Sequence, residues 1–486
     1  MAREPKRAQQ IAEQIEREIL NRGLVSGHRL GTEPELVERY AVSRAVLREA
    51  IRMVERHQLA ETRRGMGGGL FVAQPAEEAV ARVLSAYLDS IGLELSELFE
   101  ARRLLEGELV RLAAIRGGKR GARELEAILE GGLALDSARD AVALLDRFYA
   151  RLGELTRSPG LALFVRALSL AGMNMALGLH FGREAAQAAY RAAWKRYRAI
   201  AKSIATHDVE RAQSQIAGQL DTDEREWSAR RRRRRALAPP GRIKQGDALA
   251  RLIRERIESE GMRPGDRLGS ETELLDRYGV SRSILREAIR LLEHHGVVEM
   301  RRGIGGGLVV SEPDPDSVVR AASVYLAHLG LTVEQIREVR LLLEPVGAAL
   351  AAERASDADL AELAADLVAR LELQGGRGLV AFRELHERIA DLGGNRALAL
   401  FTRVMIAAAW GLKDRAVRGL PVDALEKLRH SDTRIVGALH ERDVERVTAL
   451  MLDHLKFTLD WWAALHSRER LNVRPTRRRD ARGETD

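Results

Sequence analysis

Three arginines, Arg44, Arg48 and Arg52, stand at i, i+4 and i+8 of one segment, and Arg282, Arg286 and Arg290 repeat the arrangement. That spacing sets three guanidinium groups one turn apart along one face of a helix. Like charges so placed repel unless an anion lies alongside, and the guanidinium fork matches phosphate oxygens and the guanine edge. A solvated surface face is the plain alternative. Leu47, Ala50, Ile51 and Val54 fall on another face, copied as Leu285, Ala288, Ile289 and Leu292, so one side packs while the other presents cations. Ser43 and Ser281 stand just ahead as N-caps. Downstream come Arg63, Arg64, Gly65, Met66 and then Gly67, Gly68 and Gly69. A glycine run can cradle a nucleotide phosphate, but no lysine with serine or threonine follows and no β-α-β unit surrounds it. The candidate DNA contacts are therefore Arg29, Ser43, Arg44, Arg48, Arg52, Arg64 and Gly67, with Arg267, Ser281, Arg282, Arg286, Arg290, Arg302 and Gly305 in the second set.

The elements that position these residues are duplicated. The segment from His28 to Val72 aligns without a gap to the segment from Asp266 to Val310, at a spacing of 238 (281 − 43), with more than half of the positions identical. The register continues through Tyr87 and Tyr325, Arg102 and Arg340, and Glu106 and Glu344. Within one copy, Ile11, Ile15 and Ile19 predict a first helix. Thr32 with Glu35, copied as Ser270 with Glu273, predicts a capping box opening a short second helix. A tight turn at Ala41 and Val42 leads into the arginine-bearing third helix, and two strands joined by the glycine-rich tip form a wing. Such a helix, placed after a helix and a short turn, sits where a recognition helix enters the major groove.

The fold class is thus mainly α, with two winged helix-turn-helix domains, each followed by an antiparallel helical bundle. Residues 1–75 form the first reader and 76–229 its Ala- and Leu-rich helical domain. Residues 230–243 are a basic linker containing Pro239, Pro240 and Gly241, 244–312 the second reader, 313–470 the second helical domain and 471–486 a basic tail.

Composition agrees. The 486 residues carry a formal charge of +8 and no cysteine, which excludes disulfides and thiolate metal sites. The basic balance favours a polyanionic partner. The arginine runs Arg230 to Arg235 and Arg477 to Arg479 are either phosphate contacts or solvated linker and tail. MAREPKRAQQ lacks the apolar core of a secretory signal, and the apolar stretch from Leu161 to Phe181, broken by Arg166, reads as a buried bundle helix. A cytoplasmic, nucleoid-associated protein with no membrane partner is expected.

The sequences VSRAVLREAIRMVE and VSRSILREAIRLLE, each preceded by a glycine-arginine-leucine pattern ahead of the second helix and closed by a glycine-rich wing, resemble the GntR family of bacterial regulators, in its FadR-like branch. The resemblance implies base reading by Arg44, Arg48, Arg282 and Arg286, wings in the minor groove, and helical domains of the FCD type that dimerise and bind a small-molecule effector. Repression is the implied default. Two departures stand out: Gly31 and Gly269 replace a usual proline, and Pro34 and Thr272 replace a usual DNA-contacting arginine. The family often holds a metal on one aspartate and histidines. Carried over, that set falls on His386, Asp432 and His454 in the second copy, with Phe382 at the aspartate position and His430 near Asp432. The first copy has Leu145, Tyr149, Tyr197 and Gln219 instead. A divalent metal, zinc or nickel, is therefore expected in the second helical domain only. The other reading is an organic acid held directly on these polar groups. The candidate effector residues are Arg102, Tyr149, Tyr197, Arg340, His386, Asp432 and His454.

One chain owns two readers, so two arrangements stay open: a pseudo-dimer covering one imperfect palindrome, or a homodimer presenting four readers. Catalysis is not expected, because the second half repeats a reader and leaves no room for an aminotransferase-like domain. A constitutive, non-specific DNA-binding protein without effector is the alternative function.

Overall fold

The computed structural model describes residues 7–22, 24, 26–56, 59–65, 67–73, 76–130, 138–178, 183–236, 245–262, 265–294, 297–301, 306–310, 315–371, 375–411 and 422–472. The chain divides into two compact units, residues 1–331 with 395–408, and residues 332–394 with 409–486.

The first unit contains both readers. Reader 1 is built from α1 (Arg7–Asn21), β1 (Arg29–Gly31), α2 (Glu33–Tyr40), α3 (Arg44–Arg56), β2 (Ala60–Arg63) and β3 (Gly69–Val72). The isoleucines of α1 pack with Leu47, Ala50 and Val54 of α3, as their spacing requires. The capping box is present: the Glu35 carboxylate accepts from the Thr32 amide at 2.7 Å, and the Thr32 hydroxyl accepts from the Glu35 amide. The wing gains a third strand that sequence patterning did not reveal, since β1 pairs antiparallel with β3 in the order β1-β3-β2. Three residues are too few to show a two-residue alternation.

That extra strand explains two glycines. Gly31 lies at φ +151 and Gly69 at φ +144, and a Cβ on Gly69 would stand 2.6 Å from the Gly31 carbonyl oxygen. A proline ring could not adopt the Gly31 conformation. The departure from the family's proline therefore matches the local backbone.

The first helical domain follows as α4 (Glu77–Ser90), α5 (Leu95–Arg116), α6 (Gly118–Glu130), α7 (Ala138–Thr156), α8 (Pro159–Gly178), α9 (Arg183–Ala205) and α10 (Val209–Ala236). Helix α5 runs through the middle, packed against α7, α8, α9 and α10, and Phe99, Leu105, Phe148 and Phe164 are fully buried. Helix α8 is, among the described residues, the one long and apolar enough to cross a membrane. More than half of its apolar window is buried, and Arg166 forks onto Asp146 with two 3.0 Å hydrogen bonds. Helix α10 continues to Ala236, so the arginine run placed in a linker by sequence is helical in its backbone. Arginine is a good helix former, and cations suit a helix C-terminus.

Reader 2 comprises α11 (Gln245–Ser259), β4 (Arg267–Gly269), α12 (Glu271–Tyr278), α13 (Arg282–His294), β5 (Val298–Arg301) and β6 (Gly307–Val310), with sheet order β4-β6-β5. The next helix, α14 (Pro315–His328), packs against α4, its counterpart in the repeat, and against α1 of reader 1. In the same unit Phe401, at the start of α18 (Arg396–Gly411), stacks on Phe164 of α8 with ring centroids 4.4 Å apart. These phenylalanines are also counterparts, as GLALF and ALALF align them.

The second unit holds α15 (Val333–Arg354), α16 (Asp357–Leu371), α17 (Gly375–Leu392), α19 (Val422–His440) and α20 (Val444–Asn472). Its core joins Ala348, Leu360, Ile389, Ile435, Leu439 and Leu455. Helix α15 lies against α17 and α20, as α5 lies against α7 and α10.

Candidate nucleic-acid interface and effector sites

In each reader the apolar face of the recognition helix is buried, so its arginines point outward: Arg44, Arg48, Arg52, Arg282, Arg286 and Arg290 are all exposed. The caps hold the helices in place, with the Val46 amide donating to the Ser43 hydroxyl at 3.3 Å and the Ile284 amide to Ser281 at 3.4 Å. Between α3 and the wing of reader 1 lies a cleft of about 670 Å³, lined by Arg29, Arg48, Arg52, Arg64 and Gly67. It is a cationic concavity whose walls are a helix and a β-ribbon, the shapes that grooves and backbone of a duplex accept.

The arginine row carries a counter-charge that its own helix does not provide. Arg48 Nε donates to both Glu33 carboxylate oxygens at 3.1 Å, and Arg286 stands 3.3 Å from Glu271. These glutamates open α2 and α12, and neither was singled out by sequence. Both are exposed contacts of small net worth. Arg44, Arg52, Arg282 and Arg290 have no acidic partner among the described residues. Arg29 lies 3.7 Å from Glu35, and Arg267 2.7 Å from Glu273, beside the capping boxes. Arg63 stacks over Phe71 at 4.6 Å, so the wing's aromatic supports a cation that sequence left out. Arg64 and Gly67 are exposed at the wing tip, while Arg302 and Gly305 lie outside the described residues.

Each helical domain has a buried polar centre built on an arginine and a glutamate one turn apart. In the second, Arg340 donates to both Glu344 oxygens, through Nε to Oε1 and through Nη2 to Oε2 at 3.2 Å, and His386 Nδ1 donates to that same Oε2 at 2.5 Å. Burial alone would raise the Glu344 pKa, but the Arg340 and His386 charges and hydrogen bonds hold it at about 2. An ionised Glu344 fixes the His386 tautomer and turns Nε2 toward His454, whose Nε2 is 3.0 Å away. Burial, followed by the neighbouring His386, keeps the His454 pKa well below the usual histidine value. Two such nitrogens so close need a proton or a cation between them. Asp432 stands 3.4 Å from His454 Nδ1, and both of its carboxylate oxygens are buried without a hydrogen-bond partner. Burial pushes that carboxyl well up. An orphaned carboxylate and two facing imidazoles fit a divalent cation, and this is the one such cluster found among the described residues.

The first domain keeps the skeleton and changes the chemistry. Arg102 Nε donates to Glu106 at 2.5 Å, the Tyr149 hydroxyl donates to Glu106 at 2.6 Å, and the Tyr149 and Tyr197 hydroxyls lie 3.2 Å apart. Gln219 bridges Arg196 and Asp223. Tyr149 stands where His386 stands in the second copy, Tyr197 where Asp432 stands and Gln219 where His454 stands, so the polar groups satisfy one another.

Both kinds of module match known proteins. Residues 7–72 and 245–307 match the bacterial regulatory proteins of the gntR family, and residues 97–222 and 335–457 match the FCD domain, which alone spans half the chain. The HTH-type transcriptional regulator LutR of Bacillus subtilis (strain 168) is 30% identical over 204 residues, covering 41% of this chain and 92% of that protein. The chain belongs to the GntR family. Within that family, the HTH-type transcriptional repressor NanR of Cronobacter sakazakii is 25% identical over 245 residues, 48% of this chain and 90% of its own. Nearly the whole of each relative fits less than half of this chain, as a tandem of two GntR-FCD units requires. A solved GntR structure from Streptococcus agalactiae covers 45% of this chain and 99% of its own at 21% identity and a TM-score of 0.31.

In GntR terms, the structure brings the seven sequence-predicted effector residues into two buried clusters. Arg102, Tyr149 and Tyr197 gather in the first, and Arg340, His386, Asp432 and His454 in the second. It also brings in Glu106 and Glu344, which sequence reasoning passed over. Their signal was present: Glu follows Arg by four residues in both copies, in register. His430 takes no part in the cluster found, and the Phe382 side chain lies outside what the structure describes.

Proposed function

We propose that one chain acts as a complete two-reader repressor, in which the pseudo-symmetric pair of GntR-FCD units reads one imperfect palindrome and only the second FCD domain senses. The observation that carries this reading is the packing of counterparts on each other, α4 against α14 and Phe164 on Phe401. Contact between equivalent residues is the mark of a two-fold interface, which in this family joins two chains. Two readers joined this way cover half-sites about 34 Å apart. Arg44 and Arg48, with Arg282 and Arg286, read base edges, and the remaining candidate cations neutralise phosphate.

Sensing belongs to His386, Asp432 and His454. A zinc or nickel ion bound there would supply a Lewis-acidic anchor for the carboxylate of an organic-acid effector. Glu344 orients His386, Ser431 contacts His454 Nδ1 at 3.1 Å, and Arg340 offers its guanidinium edge only as far as Glu344 releases it. An effector changes DNA affinity by its preference for one separation of the readers over another. A bacterial cytoplasmic location follows from the relatives' role.

The test is selection of genomic fragments on purified protein, footprinting of the enriched site, and a repeat with zinc and a panel of small organic acids. A protected imperfect palindrome whose affinity shifts with one acid supports the reading. Equal retention of all fragments would leave a non-specific binder.

A further inference from the structure

Arg396 makes a contact that the repeat does not mirror. Its guanidinium donates to both carboxylate oxygens of Glu97, at 2.9 Å through Nε, and its Nη2 reaches the Gly92 carbonyl oxygen at 2.9 Å. Nη1 donates to the Ile91 carbonyl, and the Arg396 amide donates to Glu97 at 3.0 Å. Beside it, Asn395 donates to the Glu97 carbonyl at 3.0 Å and to Glu100 at 2.8 Å, while its own side-chain oxygen accepts from Leu398 and caps α18. Asn395 is buried, and the Glu97 side chain is 12% exposed. This clamp joins the start of α18, from the second repeat, to the end of α4 and the first turn of α5, from the first.

The counterpart positions cannot build it. In the alignment that pairs Phe401 with Phe164, Asn395 and Arg396 fall on Ser158 and Pro159. Glu97 and Glu100 fall on Gln335 and Glu338. Proline has neither charge nor amide hydrogen, and glutamine has no charge. The aromatic contact, by contrast, would be phenylalanine on phenylalanine whichever bundles meet. We infer that the Asn395-Arg396 clamp on Glu97 and Glu100 is the specificity element that pairs a first FCD domain with a second and rejects pairing of like with like. A first-with-first pairing would set Glu97 against Pro159 and leave a mostly buried carboxylate with no cation, held only by the Glu94 amide at 2.8 Å. A second-with-second pairing would set Arg396 against Gln335 beside two helix-end carbonyls. Specificity of this kind comes from the cost of the wrong pairing as much as from the right one. Because the clamp holds the end of α4, the helix that follows reader 1, it also fixes where that reader stands.

The inference rests on the two-fold pairing proposed above, and its test separates the two. Full-length Glu97→Arg, Arg396→Glu and the double exchange are compared by thermal melting, sedimentation and affinity for the footprinted palindrome and for an isolated half-site. Each single variant is expected to lose palindrome affinity about ten-fold while half-site affinity stays within about two-fold, and the double exchange restores the palindrome. Singles that bind the palindrome as the unaltered protein does, or a double exchange that restores nothing while its melting stays unchanged, overturn the clamp. An equimolar mixture of the two single variants then locates it. Recovery in the mixture means that the clamp closes between two chains, which keeps the clamp and removes the single-chain reading. No recovery, with rescue by the double exchange, supports both.

Discussion

Stripping the protein with a chelator and adding zinc tests the sensing cluster through a quantity the structure fixes. In the metal-free protein Asp432 has no hydrogen-bond partner and burial pushes its carboxyl well up, which favours the neutral form. Asp432→Asn then exchanges one neutral buried group for another of the same shape. Its effect on the metal-free stability stays within about 1 kcal/mol. With metal the two proteins part. A ligand that binds only the folded state adds about 2.7 kcal/mol when its concentration is 100 times its dissociation constant. For a domain of this size each kcal/mol moves the melting point about 2–4 °C, so the unaltered protein rises roughly 5–10 °C. Asp432→Asn, deprived of its anionic ligand, shows less than half of that rise. Circular dichroism melts of the full chain with and without zinc or nickel measure it, with Tyr149→Phe in the first domain as a control that leaves the rise unchanged. No rise in the unaltered protein, or an equal rise in Asp432→Asn, refutes the assignment of the cluster as a metal site.

Replacing Arg48 or Arg286 by alanine should cost about 1–3 kcal/mol of discrimination at one base pair of its own half-site, read by competition with single-base operator variants. A uniform loss on all sequences would reduce these residues to phosphate contacts. Gly307→Ala forces a Cβ to 2.6 Å from the Gly269 carbonyl oxygen at φ +141, so reader 2 should lose about 2–3 kcal/mol and its half of the footprint while reader 1 keeps its own. Asp223 is raised from 3.8 to about 6, chiefly by desolvation. The folded protein thus holds an extra proton between those values. The resulting stability, no more than about 3 kcal/mol, is fully present below about pH 4 and lost as pH rises through 6. Asp223→Asn should flatten that slope in urea melts taken from pH 4 to 7, and an unchanged slope would contradict it.

The readers were legible because local rules fix them. Capping boxes, the apolar stripe of α3 and the glycine tip each act over fewer than ten residues, and the repeat showed every signal twice. Strand β1 escaped because three residues show no period, and it was visible only through the glycines that let it approach β3. The pairing of Arg48 with Glu33 spans 15 residues and depends on the crossing of two helices, which spacing along one helix does not reveal. The residues of the two buried polar clusters were singled out through the family resemblance, while their electrostatics came from tertiary packing. Glu344 lies 42 residues from His386, and nothing local says that one carboxylate will orient that ring. The clamp of Arg396 on Glu97, 299 residues apart, is the extreme case: in sequence it appears only as a place where two otherwise similar repeats disagree.

The most direct test of the account is the mass of the protein–operator complex, measured by sedimentation or native mass spectrometry on a duplex carrying one footprinted palindrome. A single 54.0 kDa chain per palindrome, with both half-sites protected, is the predicted result. Two chains on one palindrome, each lending one reader, would contradict it.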